Sequence, residues 1–244
     1  MFSLFRKHID SFNLASVAVD MHSHLIPGID DGAKDMDNTM ELLRKFSELG
    51  YQKVITTPHI YWDYYKNTSE IILEGLQKVR ERVEQEQLPI QVEAAAEYFF
   101  DAHFLDLIDN DEILTFGDKY VLFELPFLVE PYNVDQLIFL LLGKGYKPIM
   151  AHFERYLYYH SKTLAMAEDF RRRGVAIQLN LLSLTGHYGE SVRHQAELMI
   201  EKNLVDFVGT DCHRIEHLEI IKRNLKKKNF SKLSELNLKN NQLL

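Results

Sequence analysis

The sequence predicts one α/β domain built on a mainly parallel sheet, and three observations predict it. Short β-branched and apolar runs alternate with helical stretches, the pattern of strands joined by helical crossovers. Most of these runs lack a polar alternation, as strands buried on both faces do. The length of 244 residues is the usual size of one such domain.

The first run is 17–21. Asp35 or Asp37 can then cap a helix that carries Met36, Met40, Leu43 and Phe46 on one face and ends at Gly50. A second run, 53–57, is followed by a helix opened by Thr68 or Ser69. It holds Ile72, Leu76, Val79 and Val83 at helical spacing and stops before Pro89. Runs 90–96 and 120–125 come next, and Asn133 opens a helix to Leu142 with Gly143 behind it. After run 148–151, Ser161 opens a helix that closes at Gly174. Arg171, Arg172 and Arg173 suit its negative end. Run 175–179, a helix over 190–202 and run 206–209 complete the series. Seven units in this length favour a barrel over an open doubly wound sheet, although pattern alone does not close the ring. The expected organisation is an N-terminal extension over 1–16, a barrel over 17–221 and a tail over 222–244. The tail is Lys/Asn-rich and reads as a frayed or loosely docked end.

Composition narrows the function. Apolar residues make up 46% and charged residues 26%, ordinary for a globular chain, and the net charge is −8. An acidic balance argues against a protein held on nucleic acid through phosphates. From Lys222 to the end the chain is locally basic, with seven bases and one acid, so the rest is more acidic still. That tail could touch an anionic surface, but a solvated end is the expectation. The single cysteine excludes a disulfide framework and fits a reducing cytoplasm. No uncharged run is long or apolar enough for a membrane span, and Asp10, Asn13 and Asp20 interrupt the N-terminal apolar stretch.

The chemistry collects where the strands end. The first run gives Asp20-Met21-His22-Ser23-His24, followed by Pro27-Gly28-Ile29-Asp30-Asp31-Gly32. The second ends Thr57-Pro58-His59, the third at Glu97 and the fourth at Glu124. The fifth ends His152-Phe153-Glu154-Arg155 and the seventh Asp211-Cys212-His213. Only the sixth lacks an ionisable residue there, offering Gln178 and Asn180. In a parallel barrel these ends converge on one face, where active sites are built. Five imidazoles and four carboxylates would meet in one cavity, and the carboxylates would repel each other there unless divalent cations neutralised them. Imidazole and carboxylate without thiolate suit Mn²⁺, Fe²⁺ or Zn²⁺, and so many donors imply two or three ions. The remaining histidines, His8, His103, His160, His187, His194 and His217, fall in helices or loops and read as surface groups or supports.

Cys212 fails as a phosphatase nucleophile. The Cys-x₅-Arg cradle would need Arg six residues on, and Leu218 stands there. Lying between Asp211 and His213 on an extended backbone, its side chain should also point away from the cavity.

These residues in this order resemble the polymerase-and-histidinol-phosphatase (PHP) superfamily, and within it the manganese-dependent bacterial protein-tyrosine phosphatases of the capsule-regulation CpsB/CapC type. His22-Ser23-His24, Gly28-Ile29-Asp30-Asp31-Gly32, Thr57-Pro58-His59, Ala96-Glu97, Phe123-Glu124, His152-Phe153-Glu154-Arg155-Tyr156 and Asp211-Cys212-His213 carry the resemblance, which spans about residues 17–215. It implies an irregular seven-stranded β/α barrel with a three-metal centre. The implied ligands are His22, His24, Asp31, His59, Glu97, Glu124, His152, Asp211 and His213, with manganese the expected metal. Of the pair Asp30 and Asp31 only the resemblance chooses the second. Arg155 matches the phosphate-contacting arginine. A further family arginine lies several residues beyond Asp-x-His, whereas here Arg214 follows His213 directly, so Arg214 is carried as a substrate-binding candidate. The implied chemistry is in-line attack on phosphorus by a hydroxide formed from a water that the ions acidify, with no phosphoenzyme. The implied substrate is a phosphotyrosine protein, namely a bacterial tyrosine kinase of exopolysaccharide synthesis.

Three other readings stand beside it: hydrolysis of a small phosphomonoester such as histidinol phosphate, a nuclease, and a metal-bearing regulator that docks on a kinase without catalysis. The aromatic stretch Ile60-Tyr61-Trp62-Asp63-Tyr64-Tyr65 follows His59 at the expected cavity mouth. It reads equally as a substrate contact or as a loop packed on the rim.

Overall fold

The computed structural model describes residues 12–244; His8 and most of the expected N-terminal extension lie outside the described residues. Its strands are β1 (Val19–Asp20), β2 (Lys53–Thr56), β3 (His59–Ile60), β4 (Gln91–Ala94), β5 (Glu97–Phe99), β6 (Tyr120–Glu124), β7 (Lys147–Met150), β8 (Ala176–Asn180) and β9 (Phe207–Gly209). All pair in parallel, in the orders β1-β2-β4 and β3-β5-β6-β7-β8-β9. The second and third expected runs form β2 and β4, and each is followed by a further short strand, β3 after Thr57-Pro58 and β5 after Ala95-Ala96. Pro58 has no N–H to give a ladder. Its carbonyl still accepts from Glu97 N at 3.1 Å, and Thr56 O accepts from Ala95 N at 2.9 Å, so the sheet continues across both breaks.

The ring closes between β9 and β1. Past the end of β9, Asp211 N donates to His22 O at 2.8 Å and His24 N to Cys212 O at 2.9 Å, with Ser23 and Cys212 paired in parallel. Lower on the seam, the Asp20 carboxylate accepts from Thr210 N at 2.8 Å and from its hydroxyl at 3.1 Å. Gly209 stands where a Cβ would come within 2.7 Å of His22 Cβ, so any larger residue would push this seam apart.

Helices α1 (Met36–Glu48), α2 (Ser69–Gln85), α4 (Val134–Gly143), α5 (Ala165–Arg172) and α6 (Glu190–Glu201) follow the sequence expectations, whereas α7 (Ile215–Asn224) is not among them. Asp35 caps α1 and Thr68 caps α2, each side chain accepting a backbone N–H of the first turn. α5 begins later than Ser161, because Leu164 is left-handed at φ 55° and Ser161 Oγ accepts its N–H instead. The eight-residue α3 (Ala102–Asp109), capped by Asp101, has no counterpart in the sequence reading. One large apolar core lies between helices and strands. A smaller cluster joins Val19, Ile55, Leu122, Ile149 and Phe207 from five strands and so fills the ring's interior.

The tail corrects the expectation of a loose end. After α8 (Lys228–Ser231), which buries Phe230, the chain reaches the floor of the ring. There the Asn240 amide donates to Val19 O at 3.0 Å and to Val208 O at 2.8 Å, and its oxygen accepts from Val208 N at 3.0 Å. Leu243 is buried in the interior cluster, and its carbonyl accepts from Lys53 Nζ at 2.6 Å. Sparse apolar anchors and one asparagine dock a segment whose average composition is that of a solvated end. No described helix is long and apolar enough to cross a membrane.

Candidate metal centre

The strand C-termini open onto a cavity of about 580 Å³. Its lining includes Asp31, His59, Glu97, Glu124, His152, Arg155, Asp211 and His213. His22 and His24 reach the same centre from beneath, fully buried. All nine expected donors come together in overlapping groups whose ligand atoms lie within 4.8 Å of one another. The groups are His24-Asp31-His59-His213, His22-Glu97-His152, His22-His24-Asp211 and His59-Glu97-Glu124.

Glu97 is the hub. Its carboxylate lies 3.2 Å from His22 Nε2, 3.4 Å from His24 Nε2, 3.2 Å from His59 Nδ1 and 3.0 Å from His152 Nε2. Asp211 Oδ1 stands 3.4 Å from both His22 Nε2 and His24 Nε2. Yet His22 Nε2, His24 Nε2 and His59 Nδ1 are buried and make no hydrogen bond: the atoms crowd together without pointing at each other. Donors aimed at shared points between them have this geometry, so the residues fit divalent cations.

The outer nitrogens reinforce this fit. Gln178 Oε1 lies 3.2 Å from His22 Nδ1 and also accepts from His152 N at 2.7 Å, so the atom facing both is the oxygen and His22 carries its proton on Nδ1. His24 Nδ1 donates to Asp30 at 2.9 Å, and His213 Nδ1 to the Asp211 carbonyl at 2.9 Å. All three rings thereby direct Nε2 inward, the nitrogen on which a bound metal would replace a proton. Between the paired aspartates the structure separates the roles. Asp30 is turned in, supporting His24 and accepting from Gly32 N and His59 N, while Asp31 faces the cavity, 3.5 Å from His59 Nε2 and 3.4 Å from His213 Nε2. Gly32 allows this turn, since a Cβ there would sit 2.2 Å from His24 O.

Charge is unevenly shared. Burial raises the Glu124 carboxyl, and the Glu97 charge raises it further, well above the usual range. Burial alone would raise Glu97 and Asp211 too, but His22 and neighbouring histidines hold both well below it. Burial lowers His59 and His152 to about 4, helped by the His24 charge at the first and Arg155 at the second. His152 and Asp211 both hold left-handed backbones, at φ 33° and 50°. Such conformations cost about 1–3 kcal/mol each and recur where a side chain must be aimed.

Arg155 comes from the same short turn as His152 (Phe153–Arg155). Its guanidinium lies 4.5 Å from the Phe127 ring and 4.3 Å from the Tyr188 ring, and donates to Asp211 Oδ2 at 3.1 Å. Asn180 Nδ2 holds the same oxygen at 2.9 Å. Arg214 lines the cavity beside His187 and His217, its Nε donating to His217 Nε2 at 3.2 Å. Of the aromatic stretch, Tyr61, Tyr64 and Tyr65 line the cavity, whereas Trp62 packs at a tilt against His103, ring centroids 4.1 Å apart, and is not part of the lining. Cys212 is buried in the outer core, away from the cavity, and burial pushes its thiol well above its ordinary value. The supporting roles of Asp30, Gln178 and Asn180 escaped the sequence reading, although polar side chains inside the buried run 175–180 were a usable signal. Nothing in the sequence flagged Phe127 or Tyr188.

Comparison with known proteins finds relatives over most of the chain. Tyrosine-protein phosphatase YwqE of Bacillus subtilis is 30% identical over 81% of this chain and 78% of its own. Tyrosine-protein phosphatase CpsB of Streptococcus pneumoniae is 26% identical over 81% of this chain and 84% of its own. A solved structure, from work describing YwqE and CpsB as unique metal-dependent tyrosine phosphatases, matches with TM-score 0.78 at 27% identity, covering 93% of this chain and 94% of that one. Histidinol phosphate phosphatase of Lactococcus lactis shares the fold at TM-score 0.53 and 13% identity, covering 87% and 93%. The family described as capsular polysaccharide synthesis, CpsB/CapC, matches residues 18–241, and this chain belongs to it.

Proposed function

We propose that the protein is a metal-dependent protein-tyrosine phosphatase whose ions are held by His22, His24, Asp31, His59, Glu97, Glu124, His152, Asp211 and His213. The observation that carries this reading is the set of buried, unpaired imidazole nitrogens gathered around Glu97 beside an open cavity that also holds Arg155. Manganese is the proposed metal, since a donor set of imidazoles and carboxylates with no thiolate suits it, with Fe²⁺ and Zn²⁺ as the rivals. When bound, such ions neutralise phosphoryl charge and make a coordinated water acidic enough to serve as nucleophile at neutral pH.

The chain's own groups do the rest. Arg155, flat between Phe127 and Tyr188, keeps one edge on Asp211 and offers its remaining N–H groups to two phosphoryl oxygens. Arg214, oriented by His217, is proposed as a second phosphate contact. Phenolate leaves with a pKa of about 10, so a tyrosine ester needs less proton assistance than an alkyl ester. Cys212 takes no part. The substrate class is a phosphotyrosine protein, proposed to be a tyrosine kinase of capsule or exopolysaccharide synthesis. Turnover of a phosphotyrosine peptide, histidinol phosphate and a bis(aryl) phosphate, compared on the manganese-loaded protein, tests the reading. Preference for the first supports it, and preference for either of the others replaces it.

A further inference from the structure

Between Glu124 and α4 the chain reads Pro126-Phe127-Leu128-Val129-Glu130-Pro131-Tyr132. Its first three residues belong to the cavity wall. The Tyr158 hydroxyl pins the Pro126 carbonyl at 2.8 Å, and the Phe127 ring packs 5.3 Å from the His152 ring as well as on Arg155. Beyond that anchor the apolar side chains face solvent: Leu128 is 95% exposed, Val129 70% and Tyr132 100%. Pro126 and Pro131 each fix their own φ, which narrows the backbone choices at both ends of the segment. Tyr64, 72% exposed, extends the apolar rim from the stretch after β3. Single exposed apolar residues are ordinary, but a contiguous group at a cavity mouth marks a surface that is covered in use.

We infer that this segment is a docking ridge for the polypeptide around the phosphotyrosine, and that it selects apolar over acidic neighbours of that residue. The inference rests on the phosphatase reading and names its substrate more closely. Phe127 and Leu128 belong to both the cavity wall and the ridge, so a chain whose phosphotyrosine enters the cavity crosses the ridge and covers it. A small phosphomonoester would leave it bare. Glu130 sits in the middle of the ridge, and the chain ahead of the basic tail is strongly acidic, so an acidic flank would be repelled.

The test uses fluorescein-labelled peptides of equal length carrying a non-hydrolysable difluoromethylphosphonate tyrosine, flanked by Leu and Val in one and by Glu and Ser in the other. Binding to the manganese-loaded full chain is read by anisotropy, for the native sequence and for a Val129→Ser/Tyr132→Ser double variant, which removes apolar surface without adding charge. The native protein is expected to bind the apolar peptide roughly tenfold more tightly, the scale of one apolar side chain leaving water. The double variant is expected to lose most of that preference, by weaker binding of the apolar peptide, while hydrolysing p-nitrophenyl phosphate as before. Equal affinity of the native protein for the two peptides, or a preference undiminished in the variant, overturns the ridge. Sedimentation showing a native dimer that the double variant dissolves also overturns it, by making a second copy the occupant. Absence of p-nitrophenyl phosphate turnover in the native protein would instead sink the phosphatase reading, and the anisotropy comparison would still decide the ridge.

Discussion

Gln178 Oε1, 3.2 Å from His22 Nδ1, fixes the tautomer of a histidine that it does not help to ligate. The same oxygen holds the backbone N–H of His152, so one amide orients two candidate ligands. Replacing Gln178 by Ala should therefore weaken metal binding roughly 10–100-fold, the usual cost of removing such a support. Competition titration with a metal indicator measures it. Unchanged affinity would mean that the packing of β1 and β7 alone aims the two rings.

Arg155→Lys should keep the metal and lose turnover. Lysine supplies the charge but neither the flat fork nor the stacking between Phe127 and Tyr188. The expected loss in kcat is about 10²–10³-fold. Metal content by mass spectrometry should match the native protein, and normal turnover would remove Arg155 from the mechanism.

Chelation should lower thermal stability as well as activity. The ion-free centre gathers Glu97, Glu124 and Asp211 in a buried space where the Glu97 charge already drives Glu124 upward. Restoring metal to about a hundred times its Kd should add about 2.7 kcal/mol, roughly 5–10 °C in Tm for a chain of this size. A melting temperature indifferent to metal would argue that the nine donors are a structural cluster.

Thiol chemistry should be irrelevant. Cys212 is buried and its thiol is held protonated, so alkylating reagents should leave the native protein active. Cys212→Ser should keep its kcat, and inactivation by iodoacetamide without unfolding would contradict this.

One acid-sensitive contact lies far from the metal centre. Burial would raise the Asp206 carboxyl, but Lys239, Arg171 and the Ile177 N–H together hold it below its usual value. A carboxyl lowered in the folded state stabilises above its unfolded pKa and loses that contribution as the pH falls through the folded value. Asp206→Asn should cost about 2–3 kcal/mol at neutral pH. The gap from the native protein should begin to narrow below about pH 4 and keep narrowing as the pH falls toward the lowered folded value. Denaturant midpoints across that range check it, and a gap that does not narrow on acidification would assign the loss to packing.

Legibility followed chemistry. Short buried runs gave the seven strand positions, because a strand covered on both faces needs little but apolar side chains. Asp35 and Thr68 were readable as caps because a polar residue ahead of an apolar periodicity has a local mechanism. The candidate cluster was readable because histidines and carboxylates at strand ends have few other uses, with the choice of Asp31 over Asp30 left to the resemblance. Distance along the chain hid the rest. Asn240 docks the tail through Val19 and Val208, partners 221 and 32 residues away, and nothing near Asn240 signals either. Asp30 and Asp31 are chemically identical neighbours, and only the turn at Gly32 decides which one faces the cavity. Phe127 and Tyr188 meet across Arg155 from separate loops, a contact that no local pattern encodes.

Metal held by the assembled donors is proposed to drive phosphotyrosine hydrolysis. The most direct measurement follows phosphotyrosine peptide hydrolysis by the purified protein, after chelation and again after Mn²⁺ is added back, with His152→Ala alongside. Activity should vanish with chelator, return with Mn²⁺ and be absent in the variant. Turnover that survives chelation, or that persists in His152→Ala, would contradict it.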